Sequence, residues 1–518
     1  MPRPCRTNIA NARSLESADS DHSETGATKA AETETNGGTS PSLSGPAALG
    51  PWLDRRDLLR IGSLSIAASA LPAMMTSTTA ATAAEQRGRS KAQSVIFLWM
   101  AGGVTHIDSF DPKPNAPIEV RGTLETISTS LPGVQFCETI PELAKIADRL
   151  AVLRSFSHDS DDHLLSQVYT LSGRKVDRNR LFSEPNIGSM VSFLQGSRGS
   201  LPPYIAVPGI TRPGPPPHNF FLPGWLGSHH APYCLGGVPE QPDFTANPQL
   251  DDPPAQYEED LVPKSLALDA ALTRQRLDGR VQLRDQLDGA LRTLENDQTL
   301  ASVEAKYQKA LRLLGTPAIR QAFELSEESA ATRELYGRTK IGGRCLMARR
   351  LVEAGAQFVM VDYGYDPDYG NVWDNHNAPS QNHPPIQQMV KRGYHLAGMD
   401  RAFAALVGDL EQRGLLDSTL VVFITEFGRT PKINARGGRD HWGRCGSLFF
   451  AGGGTKAGQV IGESDATASR PITTPYSPSD VTATIYSALG IDHTGFVQDI
   501  FDRPRPILED GRIIPEII

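Results

Sequence analysis

Short apolar runs, separated by polar and glycine-rich segments, recur along most of the chain. The first, Ser-Val-Ile-Phe-Leu-Trp-Met at 94–100, is continuous and is soon followed by two glycines, as in a buried central strand. Similar runs predict strands at 150–154, 204–207, 357–361, 420–424 and 447–451. Segments with helical character lie between many of these strands, for example at 162–171 and 399–413. Strands that alternate with helices indicate an α/β fold with a largely parallel sheet.

Two regions interrupt this alternation. Residues 208–250 combine a Pro-Gly-Pro-Pro-Pro run with several aromatic residues and show little periodicity, so we interpret them as a loop-rich excursion that could cover a site. Residues 257–355 contain leucines at helical spacing with charged residues between them, at positions 283, 287, 291 and 294. This pattern predicts a helical insertion whose leucines pack into a core.

The beginning of the chain predicts export. Residues 1–53 have few large apolar side chains and should be disordered, because they cannot bury enough surface to offset their chain entropy. Residues 54–84 have the layout of a twin-arginine signal peptide, in which Arg55 and Arg56 precede a weakly apolar run and a stretch of small residues. An uncleaved membrane anchor is the alternative, but an apolar run of about 15 residues is short for a bilayer span. We therefore expect recognition by the twin-arginine export machinery, a periplasmic or extracellular location, and no stable membrane span after cleavage.

The amino-acid composition disfavours nucleic acid as a partner and a cysteine-based zinc site. The formal net charge is −8, from 51 basic and 59 acidic residues, and the basic residues form no stripe. Nucleic acid is therefore disfavoured as a partner, because binding it needs a concentrated positive charge. The five cysteines are scattered without a CxxC pair, which disfavours a zinc site built on cysteine.

Carboxylate and imidazole side chains follow several of the predicted strands. The carboxyl ends of parallel strands share one edge of a sheet, so these side chains should meet there. Such residue types suit a divalent cation, here Zn²⁺, Ca²⁺, Mg²⁺ or Mn²⁺, and coordination removes the cost of burying charge. The predicted metal ligands are His106, Asp108, His158, Asp374, His376, Glu426 and His441.

Some of these residues keep a second interpretation. His106 could bond to backbone and Asp108 could cap a turn. His163 could bind the metal or an ester substrate. Arg429 could hold an anionic substrate oxygen with two hydrogen bonds, or form a structural salt bridge. Asp440 could orient the neighbouring His441.

Four stretches, together with the twin-arginine signal, resemble the bacterial domain-of-unknown-function family fifteen-oh-one over residues 90–515. They are FLWMAGGVTHIDSFDPKP at 97–114, WDNH at 373–376, TEFGRTP at 425–431 and GGRDHWG at 437–443. This family is grouped with the alkaline phosphatase/sulfatase superfamily. The resemblance implies a sheet covered by helices on both faces, one or two divalent metals, and cleavage or transfer of phosphate and sulfate esters.

The resemblance also implies roles for individual residues. Glu426 and His441 match metal ligands of the superfamily, and Asp374 with His376 resembles an Asp…His ligand pair at shorter spacing. Sulfatases carry a Cys or Ser nucleophile ten residues before the glycine of a Leu-Thr-Gly ending, and His163 occupies that place here. His163 is thus a metal ligand, a histidine nucleophile, or a sign that ester chemistry has been lost.

These observations predict an exported, metal-dependent hydrolase of phosphate or sulfate esters. In that hypothesis His163 or a metal-activated water attacks, Arg429 holds the anion, and the partner is an anionic ester or glycan. The alternative is a non-catalytic binding protein for sulfated or phosphorylated glycans, or a structural component of the cell envelope, built on the same scaffold.

Overall fold

The computed structural model describes residues 92–209, 222–236, 249, 251–263, 276, 279, 282, 317–377, 381 and 383–518. The disordered extension and signal peptide predicted over 1–53 and 54–84 lie outside the described residues, as do the four leucines of the predicted helical insertion. Much of the predicted excursion at 208–250 lies outside them too. None of the helices in the described part of the chain has the length and hydrophobicity needed to cross a bilayer.

The strands form one large sheet and three small ladders. In chain order they are β1 (Ser94–Trp99), β2 (Thr126–Ser128), β3 (Gln135–Cys137), β4 (Ala151–Phe156), β5 (Tyr204–Val207), β6 (Tyr233–Cys234), β7 (Phe358–Asp362), β8 (Thr419–Ile424), β9 (Gly428–Arg429), β10 (His441–Trp442), β11 (Gly446–Gly452), β12 (Gln459–Ile461), β13 (Phe496–Gln498) and β14 (Pro504–Pro506). The large sheet has the order β12-β4-β11-β8-β1-β7-β5-β6. Among the described strands of this sheet, β11 alone runs antiparallel to the others.

Helices cover both faces of the sheet. They are α1 (Ile118–Arg121), α2 (Pro141–Lys145), α3 (His163–Ser172), α4 (Ile187–Gln195), α5 (Pro317–Phe323), α6 (Ala330–Leu335), α7 (Lys340–Glu353), α8 (Ile386–Met389), α9 (Leu396–Gln412) and α10 (Pro478–Ala488). The buried residues of α2, α7 and α9 belong to one hydrophobic core, and those of α3, α4 and α10 to a second. The α/β fold with a largely parallel, doubly covered sheet is therefore confirmed.

The central strand β1 shows why helices must pack on both faces of the sheet. Its side chains alternate, so Ile96 and Leu98 enter the first core while Val95, Phe97 and Trp99 enter the second. All six residues of the strand are buried, as the continuous apolar run predicts. Burial on both faces explains why this strand has no alternating polar pattern.

A tight turn after β1 brings the next segment against the end of β8. Gly102 and Gly103 have φ values of +126° and +93°, which side chains rarely allow. A Cβ atom on Gly103 would lie 2.5 Å from the ring of Phe427. The Thr425 hydroxyl accepts a hydrogen bond from the Val104 amide and donates one to the Met100 carbonyl. The carboxyl ends of β1 and β8 are thereby joined at one edge of the sheet.

Candidate metal centre

Four side chains converge at this edge, and we call them the His/Asp cluster: His163, Asp374, His376 and His441. Each offers one nitrogen or oxygen atom, and these atoms all lie within 4.8 Å of one another. The Nε2 atoms of His376 and His441 are 2.7 Å apart, and each lies 3.1 Å from Asp374 Oδ1. His163 Nε2 lies 3.5 Å from Asp374 Oδ2. The four side chains are 12–24% exposed, so the cluster is in contact with solvent.

The four residues of the cluster lie in three different segments of the chain. His163 is the first residue of α3, a helix whose N-terminus is capped by the Asp162 side chain. Asp374 and His376 lie in the loop after β7, which is anchored by a 2.5 Å hydrogen bond from the buried Trp373 indole to the Tyr363 carbonyl. His441 lies in β10, which pairs with β9 just beyond the end of β8. The cluster is therefore assembled by the sheet topology, not by one local motif.

The Nδ1 atoms of the three histidines all contact oxygen acceptors. Their partners are Glu426 Oε1 for His163 (2.5 Å), Asp440 Oδ1 for His376 (2.8 Å) and the Asp161 carbonyl for His441 (2.9 Å). A carbonyl or an ionised carboxylate only accepts hydrogen bonds, so each Nδ1 carries a proton. In the neutral ring the lone pair is then on Nε2, the nitrogen that faces the cluster.

This arrangement fits a bound cation. When the three rings are neutral, their Nε2 lone pairs and the Asp374 carboxylate face the same small region, where they repel one another unless a proton or a metal ion lies between them. One proton can be shared between only two of these atoms, whereas one metal ion can bind all four of them. Imidazoles that donate through their other nitrogen to a carboxylate or carbonyl are the usual arrangement around protein-bound metals.

The surrounding charges shift the pKa values of the cluster. Burial lowers the pKa of His163, but hydrogen bonds with Asp374 and Glu426 outweigh it and raise this pKa to about 9. Burial also lowers the pKa of His441 to about 4, and the nearby charge of Arg429 adds to this effect while Asp374 opposes it. Burial disfavours ionised Asp374, yet its histidine partners and Arg429 hold its pKa well below the usual range. The cluster therefore contains an ionised carboxylate and attracts positive charge.

Glu426 lies behind His163 and not among the four converging atoms. Its side chain is fully buried, and Oε1 accepts hydrogen bonds from His163 Nδ1 and, at 3.2 Å, from Gln167. Its Oε2 accepts the Gly102 amide at 2.8 Å. In this structure Glu426 therefore has the position of a carboxylate that orients the ring of His163, and its predicted role as a metal ligand stays a prediction.

Arg429, for which the sequence predicts either a hold on an anionic substrate or a structural salt bridge, forms a salt bridge with Asp374 in this structure. Its side chain is fully buried. Its guanidinium donates to Asp374 Oδ1 (2.9 Å) and to the carbonyls of Gly103 (2.9 Å), Arg439 (3.1 Å), Trp373 (2.8 Å) and Gly102. Through these bonds Arg429 holds Asp374 and the ligand-bearing loops in place, and its role toward a substrate stays a prediction.

Three other expected ligands, His106, Asp108 and His158, are buried and directed elsewhere. Their partners are the Ala468 carbonyl for His106 (2.8 Å), the Arg439 guanidinium for Asp108 (2.8 and 2.9 Å) and the Glu426 carbonyl for His158 (2.6 Å). The expectation for the first two assumed an extended chain beyond β1. The Gly102–Gly103 turn and the turns that follow it bend the chain instead, so these two side chains point into the protein.

Sequence reasoning missed three groups that support the cluster: the Gln167 amide, the Asp161 carbonyl and the Gly102 amide. Gln167 follows His163 by four residues on α3, and this spacing places both on one helix face, so it was a detectable signal. The two backbone groups left no signal in residue types. Asp440 was expected to orient His441, but its carboxylate bonds to His376.

No serine, threonine or cysteine side chain in the described residues forms a hydrogen bond with any member of the cluster. The Gln381 amide lies at its edge, 3.3 Å from Asp374 Oδ2. Among those residues the cluster therefore has several metal-ligand atoms and no hydroxyl or thiol that is hydrogen-bonded to them.

A family model described as "Protein of unknown function (DUF1501)" matches residues 92–518 of the chain. No curated protein matches it in sequence. Similar solved structures include the sulfatase PsFucS1 from Pseudoalteromonas sp., at 14% identity over 79% of this chain and 71% of that chain, with a TM-score of 0.31. They also include the phosphonate monoester hydrolase SpPMH from Silicibacter pomeroyi, at 11% identity over 78% and 74% of the two chains, with a TM-score of 0.33. These weak similarities assign no activity.

Proposed function

The chain belongs to the DUF1501 family, and we propose that it is an exported, metal-dependent hydrolase of phosphate or sulfate esters with an alkaline phosphatase/sulfatase-like fold. The observation that supports this proposal is the convergence of three histidine Nε2 atoms and one carboxylate at a solvent-accessible edge of the sheet. Sites in open α/β sheets form at this edge. The carboxylates and the carbonyl that contact the three Nδ1 atoms also support the proposal, because metal-binding histidines usually donate their other ring N–H to such groups.

The donor set favours particular cations. His163, His376 and His441 would bind through Nε2, and Asp374 through its carboxylate. Three imidazole nitrogens and one oxygen suit Zn²⁺ or Mn²⁺ better than Ca²⁺ or Mg²⁺, which prefer oxygen ligands throughout. We therefore expect a first-row transition-metal cation or zinc, in place of the wider choice that residue types alone allowed.

Each residue of the site has a separate role in this proposal. A divalent cation supplies Lewis acidity when bound, which polarises an ester oxygen. Glu426 fixes the ring of His163, and Arg429 fixes the carboxylate of Asp374. Because both ring nitrogens of His163 are engaged, through Glu426 and toward Asp374, we assign it to metal binding, and water becomes the attacking group.

Ester turnover is the first test of this proposal. The purified chain should hydrolyse 4-nitrophenyl phosphate or 4-nitrophenyl sulfate, lose this activity with a chelator, and regain it with added Zn²⁺ or Mn²⁺. Replacement His376→Ala should lower kcat/KM by about 1000-fold, because a metal contributes several kcal/mol to the transition state. His229→Ala, which removes an exposed histidine outside the cluster, should leave kcat/KM unchanged.

Two results would count against the proposal. Turnover that resists both the chelator and His376→Ala would contradict metal dependence. A metal-loaded chain without turnover of either ester would contradict the hydrolase and favour a non-catalytic binding protein for sulfated or phosphorylated glycans. The second function has its own support, since Arg429 is buried against Asp374 and no described hydroxyl or thiol forms a hydrogen bond with the cluster.

Export is tested separately, because Arg55 and Arg56 lie outside the described residues. A reporter fused behind residues 1–90 should reach the periplasm or the medium, and replacing both arginines with lysine should retain it in the cytoplasm. The measurement is reporter activity in separated cell fractions. Equal export of the two fusions would contradict a twin-arginine signal.

A further inference from the structure

A second site lies at the far end of α3. A surface cavity of about 500 Å³ is lined by Arg180, Phe182, Ser183, Glu184, Gly224, Trp225, Arg503 and Arg505. His163 begins α3, whereas Arg174, which packs 5.4 Å from the Trp225 ring, follows its last turn. A helix of ten residues is about 15 Å long, so this cavity is well separated from the His/Asp cluster.

The lining of the cavity carries three guanidinium groups and one carboxylate. Arg180 pairs with Glu184 at 2.8 Å and with Glu509 at 2.5 Å. Arg503 pairs through Nε and Nη2 with Asp499, at 2.9 and 2.8 Å. The acids Asp499 and Glu509 are outside the lining, so they hold the arginines in place from behind.

Arg505 leaves the most donors available. Within the described residues its only acid partner is Asp499, which contacts its Nε at 3.2 Å, so both terminal nitrogens remain open to an anion. Its side chain is 40% exposed, and its guanidinium lies 5.9 Å from the centre of the Trp225 ring. A planar fork of N–H groups beside an aromatic ring suits a sulfate or carboxylate group attached to a flat or ring-shaped ligand.

Aromatic surface continues from the cavity onto the hairpin formed by β13 and β14. Phe182 is 47% exposed in the cavity, and Ile500 and Phe501 at the hairpin tip are 57% and 68% exposed. The Asp499 side chain bridges the tip, because its Oδ1 accepts hydrogen bonds from the amides of Phe501 and Arg503. The apolar side chains are thus kept in solvent next to arginines.

We infer that this cavity and hairpin tip bind an anionic polysaccharide. Sugar rings stack on exposed aromatic side chains, and the sulfate or carboxylate groups that they carry accept hydrogen bonds from arginine. The exposed side chains of Phe182, Ile500 and Phe501 lie at the surface, which suits a polymer, whereas small ligands are usually enclosed. This site goes beyond the proposed hydrolase, since its residues contact none of the His/Asp cluster.

Affinity electrophoresis with a matched pair of polymers tests the inference. The full chain should be retarded by dextran sulfate and not by dextran, which has the same backbone without charge. The variants Phe182→Ala and Arg505→Gln should each weaken retardation by dextran sulfate at least tenfold. Arg401→Gln is the matched control, because Arg401 is 46% exposed, against 40% for Arg505, and is paired with one acid, Glu334, elsewhere on the surface.

The readouts separate this site from others. A variant with His376→Ala should keep full retardation, so that failure of the hydrolase and failure of this inference are distinguishable. Circular dichroism of each variant verifies folding. Equal retardation of wild type and Arg505→Gln overturns the inference. So does binding to vesicles of anionic phospholipid without binding to dextran sulfate, or competition by millimolar inorganic sulfate that is as effective as competition by the polymer.

Discussion

Replacement of both His376 and His441 with alanine is expected to abolish stoichiometric binding of zinc or manganese. These residues supply two of the four converging donor atoms, with their Nε2 atoms 2.7 Å apart. A cation that binds the folded chain also stabilises it, so excess Zn²⁺ should raise the melting temperature of the wild type and not of the double variant. Bound metal is measured by mass spectrometry, and melting by circular dichroism.

Two further variants, with smaller expected effects on metal binding, test the same site. Glu426→Gln should weaken metal binding by about 10- to 100-fold without abolishing it, because Glu426 acts through the ring of His163. His229→Ala should retain the metal of the wild type. Retention of one equivalent of metal by the double variant, with an unchanged response of the melting temperature to Zn²⁺, would disprove the assignment of the site.

The second large effect is expected at the buried ion pair between Asp108 and Arg439. Asp108→Asn should lower the free energy of unfolding by about 3–5 kcal/mol, because it leaves a guanidinium without its counter-charge in the protein interior. Both side chains are at most 1% exposed, and two hydrogen bonds of 2.8 and 2.9 Å join them. Urea unfolding midpoints, compared at a common slope, measure the loss.

Two controls show whether burial is the cause. Glu142→Gln removes the partner of Lys145 in an exposed pair and should change stability by about 0–1 kcal/mol. Asp108→Leu combined with Arg439→Met removes both charges and should recover part of the loss. A cost for Asp108→Asn no larger than that for Glu142→Gln would show that the buried pair is not important for stability.

The sequence predicted the sheet well because its central strands are buried on both faces. The run at 94–100 became β1, and the run at 420–424 became β8, its parallel neighbour. The antiparallel direction of β11 was not predictable, because a strand buried on both faces looks the same in either direction. The short edge strands β6 and β12 have too few residues to show a period.

The site was harder to predict, because residue types show what could bind but not where a side chain points. Asp374, His376 and His441 were expected as ligands, and the structure brings them together with His163. Glu426 was expected among them as well. In the structure the Gly102 amide donates a hydrogen bond to the Glu426 carboxylate, which contacts the cluster through His163 Nδ1. Residue types do not reveal such a backbone donor.

The buried guanidinium of Arg429 has a consequence for metal loading. It ties the loop after β1, the loop after β7 and the segment before β10 into one unit, and it holds the carboxylate of Asp374. The four donor atoms are therefore in place only when these distant segments have folded together. Divalent cations compete for nitrogen-rich sites according to their availability. The cations of the compartment in which the chain completes its folding would then determine which metal could occupy the proposed site.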